Sequence, residues 1–88
     1  NLEDLIQNYR SQGVQIIATL PDAIKLHWEI DYTQPTLILL GNEGAGLSDT
    51  LTSLADQTIK IPLGGQVESL NVAIATAVIL YEALRQKI

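Results

Sequence analysis

Two glycine-rich loops carry the residues of this chain whose types could do chemistry, and each follows a segment that reads as a strand. The first loop, Gly41 to Gly46, has the sequence GNEGAG, and the second, Pro62 to Glu68, has the sequence PLGGQVE. Glycine lets the backbone approach a ligand closely, so both loops can offer amides and carbonyls to a small molecule. In open α/β sheets ligands bind beyond the carboxyl ends of the strands, where both loops would lie.

The first loop fits neither of two common phosphate-binding patterns. A P-loop needs a Lys and a Ser or Thr after its second spaced glycine, and a dinucleotide fingerprint needs G-x-G-x-x-G with an acid about 20 residues on. The loop has the spacing G-x-x-G-x-G, and Ile61 stands where the acid is needed. Glu43, in the middle of the loop, would repel a phosphate and suits a hydroxyl, an amine or a guanidinium. We therefore expect a ligand with little phosphate character.

The composition indicates one modest domain and excludes several kinds of site. Of the 88 residues 47% are hydrophobic, which suffices for one core. The chain has no cysteine and a single histidine, His27, so disulfides and thiolate metal ligands are excluded and we expect no metal site. The formal charge of -5 argues against a wide surface that neutralises phosphates. The longest apolar stretch, Val72 to Leu84, is too short for a membrane span, and we expect a soluble, cytoplasmic protein.

The hydrophobic pattern predicts an α/β fold with short, glycine-rich connections. The expected elements are a short amphipathic helix from Leu2 that Gly13 ends, strands at Val14 to Thr19, Thr36 to Leu40 and Gln57 to Ile61, a helix from about Leu47 to Ala55, and a last helix from Ser69 or Asn71 to about Gln86. Asp22 to Gln34 is predicted to be a loop with one helical turn around Ala23 to Leu26. From Val72 to Leu80 only Thr76 is polar, so we expect the sheet to cover one side of the last helix and another subunit to cover the other.

The loops and their flanking elements together resemble a known family. The string LLGNEGAGLS and the later string IKIPLGGQVESLNVAIATAVILYEA closely resemble the last two motifs of the SpoU/TrmH family of RNA ribose 2′-O-methyltransferases, in the SPOUT superfamily. The resemblance covers roughly Gly13 to Gln86. It implies a parallel α/β sheet whose C-terminal segment passes through an earlier loop in a deep trefoil knot. Residues 1–88 would then be the C-terminal part of the methyltransferase domain.

The resemblance also implies a cofactor and the residues that hold it. The methyl donor S-adenosylmethionine (AdoMet) would be held mainly by backbone groups of the two loops. The matching positions are Leu40 and Gly41 in the first loop and Ile61, Leu63, Gly64 and Leu70 in the second.

Three polar residues match catalytic positions of the family: Glu43, Ser69 and Asn71. The reaction is an attack of a ribose 2′-hydroxyl on the sulfonium methyl, which needs orientation of the oxygen and removal of a proton. We expect Glu43 to orient the ribose or a basic partner, and Ser69 and Asn71 to shape the entry to the last helix and to hydrogen-bond near the reacting groups. A plainer interpretation stays open, because Glu43 could be a solvated carboxylate and either Ser69 or Asn71 could be only a helix cap.

The family's first motif, with an Asn and an Arg that activate the hydroxyl and hold the RNA, is not in this chain. We therefore expect residues before Asn1 to supply the contacts with tRNA or rRNA, and the isolated chain to be inactive. The resemblance also implies a homodimer formed through the C-terminal helix. Two other functions stay open: a nucleotide-binding module that transfers no methyl group, and a dimerisation module whose loops have no ligand.

Overall fold

The computed structural model describes residues 1–41, 46–64 and 71–88. Their elements in chain order are helix α1 (Leu2–Ser11), strand β1 (Gln15–Thr19), strand β2 (Lys25–Leu26), a 3-10 turn (His27–Glu29), strand β3 (Thr36–Leu39), helix α2 (Asp49–Ser53), strand β4 (Gln57–Lys60) and helix α3 (Val72–Lys87). In this part of the chain no helix has the length and apolarity that crossing a bilayer requires.

The four strands form one parallel sheet in the order β2-β4-β1-β3. β1 is therefore a central strand, and its residue Ala18 pairs with Leu39 of β3 on one side and with Thr58 of β4 on the other. Parallel strands point their carboxyl ends the same way, so the segments after β1, β3 and β4 leave from one edge of the sheet. The predicted parallel α/β class is confirmed.

Side chains of β1 alternate between two apolar layers. Ile16 and Ala18 pack with Ile6 of α1 on one face, where α2 also contributes, and Ile17 packs with Ile79 of α3 on the other. Successive residues of a strand point to opposite faces, so an uninterrupted apolar strand fits a sheet covered on both sides. The helices thus lie in two layers, with α1 and α2 opposite α3.

Most of the predicted elements are confirmed within a residue or two at their ends. Gly13 has φ +88°, a conformation that favours glycine, directly after α1. Ser48 caps α2, because its Oγ accepts a hydrogen bond from the Leu51 amide at 3.2 Å. The side chain of Asn71 caps α3 in the same way, so of the two predicted starts of that helix the later one is correct.

The predicted helical turn around Ala23 to Leu26 is wrong. Lys25 and Leu26 instead form the edge strand β2, paired with Ile59 and Lys60 of β4. The helical turn begins at His27, where the Glu29 carboxylate accepts a hydrogen bond from the Leu26 amide at 2.8 Å. Pairing between strands that lie more than thirty residues apart in the sequence outweighs the weak local preference for a helical turn.

The trefoil knot stays a prediction. Whether the chain passes through an earlier loop depends on the path of residues 42–45 and 65–70, which lie outside the described residues.

Asp56 joins the amino-terminal ends of β1 and β4. Its amide donates to the Ile16 carbonyl at 2.7 Å, and its Oδ2 accepts from the Ile16 amide at 2.7 Å. Its Oδ1 lies 3.0 Å from the Arg10 guanidinium of α1, which also donates to the Leu54 carbonyl. Because Ile16 is fully buried, its amide has no access to water if this carboxylate is removed.

We predict that Asp56→Ala lowers the free energy of unfolding by about 1.5–3 kcal/mol, since it leaves a buried amide without a partner. Urea denaturation measures the change.

Asp56→Asn is the matched control. Asn keeps an oxygen for the Ile16 amide and loses only a half-exposed ion pair with Arg10, so it should cost less than about 1 kcal/mol. An equal loss in both variants would mean that the charge, and not the hydrogen bond, holds the strands together.

Candidate active site

The carboxyl end of β1 is hydrogen-bonded to both strands that precede the glycine-rich loops. The Thr19 Oγ1 donates to the Leu39 carbonyl of β3 at 3.2 Å, and the Leu20 amide donates to the Ile59 carbonyl of β4 at 2.9 Å. The two loops therefore begin on either side of Thr19, at one edge of the sheet. The strand order therefore brings together the starts of the two glycine-rich motifs.

Two of the predicted cofactor-binding residues, Leu40 and Ile61, begin these loops and are anchored in one apolar cluster. Both side chains are partly buried and pack against the cluster that includes Ile17 and Ile59. Anchored side chains hold the start of each loop in place, so backbone groups there are set relative to each other before any ligand binds.

Gly41 is a position where only glycine fits. A Cβ on Gly41 would overlap the backbone of Gly46 and Leu47, with the Gly46 Cα only 2.7 Å away. Gly46 itself has φ +67°. The two ends of the first loop therefore approach each other closely, and Gly41 serves this approach as well as any ligand.

In the second loop Leu63 is half-buried and Gly64 is exposed. A Cβ on Gly64 would meet no atom of the described residues within 4 Å. The other predicted residues, Leu70 for the cofactor and Glu43 and Ser69 for catalysis, lie outside the described residues.

Asn71 caps the amino-terminal end of α3, as the plainer interpretation of this residue predicted. Its Oδ1 accepts from the Ala73 amide at 2.8 Å, and its carbonyl accepts from the Ala75 amide at 2.9 Å. The residue is exposed and begins α3 directly after the second loop. Its catalytic role stays a prediction, which the cap permits because the cap uses only one end of the side-chain amide.

Thr19 is a site residue that the sequence analysis did not single out. In the sequence it is only the end of a predicted strand, and no local signal distinguishes it from any other threonine in that position. Its place between the two loops follows from the strand order, in which β1 lies between β3 and β4.

The described part of the site consists of backbone groups, a threonine hydroxyl and apolar side chains. Within residues 1–41, 46–64 and 71–88, no three His, Asp or Glu side chains come together in a way that could hold a metal ion. Backbone amides and carbonyls beside apolar surface suit a flat heterocycle with hydroxyl groups, such as a nucleoside.

Comparison with known proteins identifies relatives of this chain. The family model described as SpoU rRNA Methylase matches residues 1–81. The tRNA (guanosine(18)-2'-O)-methyltransferase of Escherichia coli (strain K12) is 51% identical over 85 residues, which are 96% of this chain and 37% of that protein.

Two solved structures have the same fold over nearly the whole chain. The A. aeolicus TrmH/SpoU tRNA modifying enzyme superposes with a TM-score of 0.90 at 41% identity, covering 99% of this chain and 45% of that one. The SpoU methyltransferase AviRb from Streptomyces viridochromogenes, in complex with the cofactor AdoMet, superposes with a TM-score of 0.85 at 41% identity, covering 98% of this chain and 35% of that one.

The chain thus spans between about a third and just under half of the length of these relatives. The family match covers far more than half of this chain, and the parallel sheet agrees with the solved structures. This chain belongs to the SpoU rRNA methylase family.

Proposed function

We propose that this chain is the AdoMet-binding and dimerisation part of an enzyme that methylates a ribose 2′-hydroxyl in tRNA or rRNA. The observation that carries the proposal is that the two loops begin on either side of Thr19, in a chain that superposes on an AdoMet-bound SpoU methyltransferase. The names of the relatives support the reaction, because they include tRNA and 23S rRNA 2'-O-methyltransferases.

The described residues fit a nucleoside-containing methyl donor. None of the described residues crowds the backbone at Gly64, and the half-buried side chains of Leu40, Ile61 and Leu63 offer apolar surface to an adenine ring. Their backbone groups and those of Gly41 would bind and orient the donor. When bound, AdoMet supplies the methyl group that passes to the ribose oxygen as that oxygen loses its proton.

Asn71 is the residue from which α3 begins. Its cap fixes the first turn of the helix. The free end of its side-chain amide would hold the ribose near the methyl carbon, together with Ser69, while Glu43 would orient the ribose or a basic partner. Contacts with RNA would come chiefly from other parts of the complete protein, because this chain carries a net charge of -5. A cytoplasmic location, where tRNA and rRNA are available, is part of the proposal.

The dimer would form through a row of exposed residues on α3, here called the α3 seam. Its members, spaced alternately by three and four, are Ile74, Ala77, Tyr81, Leu84 and Ile88. Ile74 and Leu84 are each 54% exposed and Tyr81 is 73% exposed. Spacings of three and four residues are those of a helix that packs along another helix. Contacts within one copy leave these residues exposed, and α3 of a second copy has the matching row.

We predict that the protein binds AdoMet in preference to ATP and NAD, and that Thr19→Val weakens AdoMet binding by about three- to tenfold. Loss of the hydroxyl removes the hydrogen bond to Leu39 that holds β1 to the start of the first loop. Isothermal titration calorimetry with the three ligands under identical conditions measures both effects.

Thr36→Val is the matched control, because Thr36 begins β3 at the opposite edge of the sheet and also loses side-chain hydrogen bonds. Its AdoMet affinity should stay within about twofold of the wild type. Preference for ATP or NAD would favour the nucleotide-binding alternative, and a folded dimer that binds none of the three would favour a dimerisation module.

In the complete enzyme with its RNA, we predict that Glu43→Ala, Ser69→Ala and Asn71→Ala each lower turnover by at least about tenfold. Single-turnover methylation assays measure the rate of the chemical step. Wild-type turnover in all three variants would show that none of these residues takes part in catalysis.

Asn71→Ser separates capping from catalysis at that position. Serine caps helices about as well as asparagine, so this variant should keep the stability that Asn71→Ala loses, about 1 kcal/mol. If its turnover nevertheless falls like that of Asn71→Ala, the amide acts on the reacting groups. If turnover follows stability instead, Asn71 is only a cap.

We predict that Leu84→Glu converts the dimer to a monomer, because it places a charge within the α3 seam. Sedimentation velocity measures the change. Leu5→Glu on α1 is the control, since Leu5 is similarly exposed, at 48%, and lies on the opposite face of the sheet. A dimer that persists with Leu84→Glu would mean that the subunits associate elsewhere.

A further inference from the structure

The 3-10 turn that follows β2 leaves the sheet at the same edge as the two glycine-rich loops. β2 is parallel to β4, and its last residue, Leu26, pairs with Lys60, the last residue of β4. The turn His27–Glu29 begins after Leu26, and the second loop follows β4. Neighbouring strands lie about 4.8 Å apart, so the turn begins one strand spacing away from the start of the second loop.

Trp28, the only tryptophan in the sequence, lies in the middle of this turn and is 47% exposed. About half of the residue is therefore left to solvent at the edge of the sheet where the methyl donor would bind. An indole presents a large apolar face to whatever lies against it, and tryptophan is enriched where proteins bind their partners.

The turn holds Trp28 in one place. His27, directly before it, is only 8% exposed and shares a groove with Val78 and Glu82 of α3. The Tyr32 hydroxyl donates to the His27 carbonyl at 2.6 Å. The Trp28 ring packs edge-on against the His27 ring, with 5.1 Å between the ring centroids. An aromatic side chain that is already held in place loses little conformational entropy when a ligand binds to it.

The charges around the turn are of both signs. Lys25 and Lys60 lie in the paired strands that lead to it, while Asp22 precedes β2 and Glu29 ends the turn. Such a surface is poorly suited to neutralising phosphates, in line with the net charge of -5. Stacking of a nucleobase on an aromatic ring needs no net charge. Stacking is therefore a contact with RNA that an acidic chain can make.

We propose that Trp28 stacks on a base of the RNA substrate and so helps to position that substrate. The inference rests on the proposed methylation of RNA and adds a substrate-binding residue to it. Thr19 lies between the two loops that would hold the donor, and its strand β1 is two strands away from β2, which is about 10 Å. A ribose over Thr19 therefore has its own base, or that of the next nucleotide, within reach of the turn. Proteins commonly recognise RNA by stacking splayed-out bases on aromatic side chains.

The experiment is RNA binding by the complete protein, with unmodified tRNA transcripts and a 23S rRNA fragment as probes, since the names of the relatives include both classes of RNA. We expect Trp28→Leu, which keeps an apolar side chain without a ring, to raise the Kd for RNA by at least about fivefold. Trp28→Phe keeps an aromatic ring and should stay within about threefold of the wild type.

Ile24→Ala is the matched control. Ile24 directly precedes β2 and is 95% exposed, but it has no aromatic ring. Removing most of its side chain should leave the Kd for RNA within about twofold of the wild type. A loss equal to that of Trp28→Leu would mean that any apolar surface near β2 serves, and would overturn the stacking role.

Two further measurements separate stacking from a structural role. In Trp28→Leu the KM for RNA should rise while kcat at saturating RNA and the Kd for AdoMet stay within about twofold of the wild type. The ratio between the Kd values of the variant and the wild type should also be the same at low and high salt, because stacking releases no counterions. A loss of AdoMet affinity, or a ratio that falls to one at high salt, would overturn the inference.

Trp28 fluorescence tests whether the ring is free before RNA binds. The difference in emission between the wild type and Trp28→Phe isolates Trp28 from any tryptophan elsewhere in the complete protein. We expect acrylamide to quench this emission in the free protein and bound RNA to protect it. If acrylamide does not reach Trp28 in the free protein, another part of the protein covers the ring and the inference is overturned.

The proposed function fails by a different result. Unchanged RNA affinity in Trp28→Leu would overturn the role of Trp28 and leave the methylation of RNA intact. Failure of the folded wild-type protein to bind or methylate either class of RNA would overturn the proposed function itself.

Discussion

The structure depends above all on how β1 is held between β3 and β4. At its start the backbone and carboxylate of Asp56 hydrogen-bond both polar groups of Ile16. At its end Thr19 and Leu20 donate to carbonyls of the two neighbouring strands. Because β1 is bonded on both sides along its length, the ends of β3 and β4 have fixed positions relative to each other, and so do the residues that begin the two loops.

Helix α3 connects this edge of the sheet with the proposed dimer surface. Its first residue follows Asn71, at the end of the second loop, and its buried residue Ile79 packs against β1 and β4. The opposite side of the helix presents the α3 seam.

Some features of this structure could be predicted from the sequence and others could not, for physical reasons. The first loop requires glycine at position 41, because a side chain there would overlap the backbone of Gly46 and Leu47. Helix ends were predictable because capping acts over three or four residues, as at Ser48 and Asn71. Edge strand β2 was not predictable, because only its pairing with Ile59 and Lys60 of β4 makes Lys25 and Leu26 a strand.

The sequence by itself determined the α/β class, the two loops at strand ends and the apolar character of α3, because hydrophobic periodicity and glycine placement are local properties of the chain. Tertiary structure alone decided that Thr19 lies between the loops, that His27 is buried against α3, and that Glu82 faces His27 from a position 55 residues away. Strand order and the burial of a polar residue arise from contacts between distant segments, for which a single sequence carries no local signal.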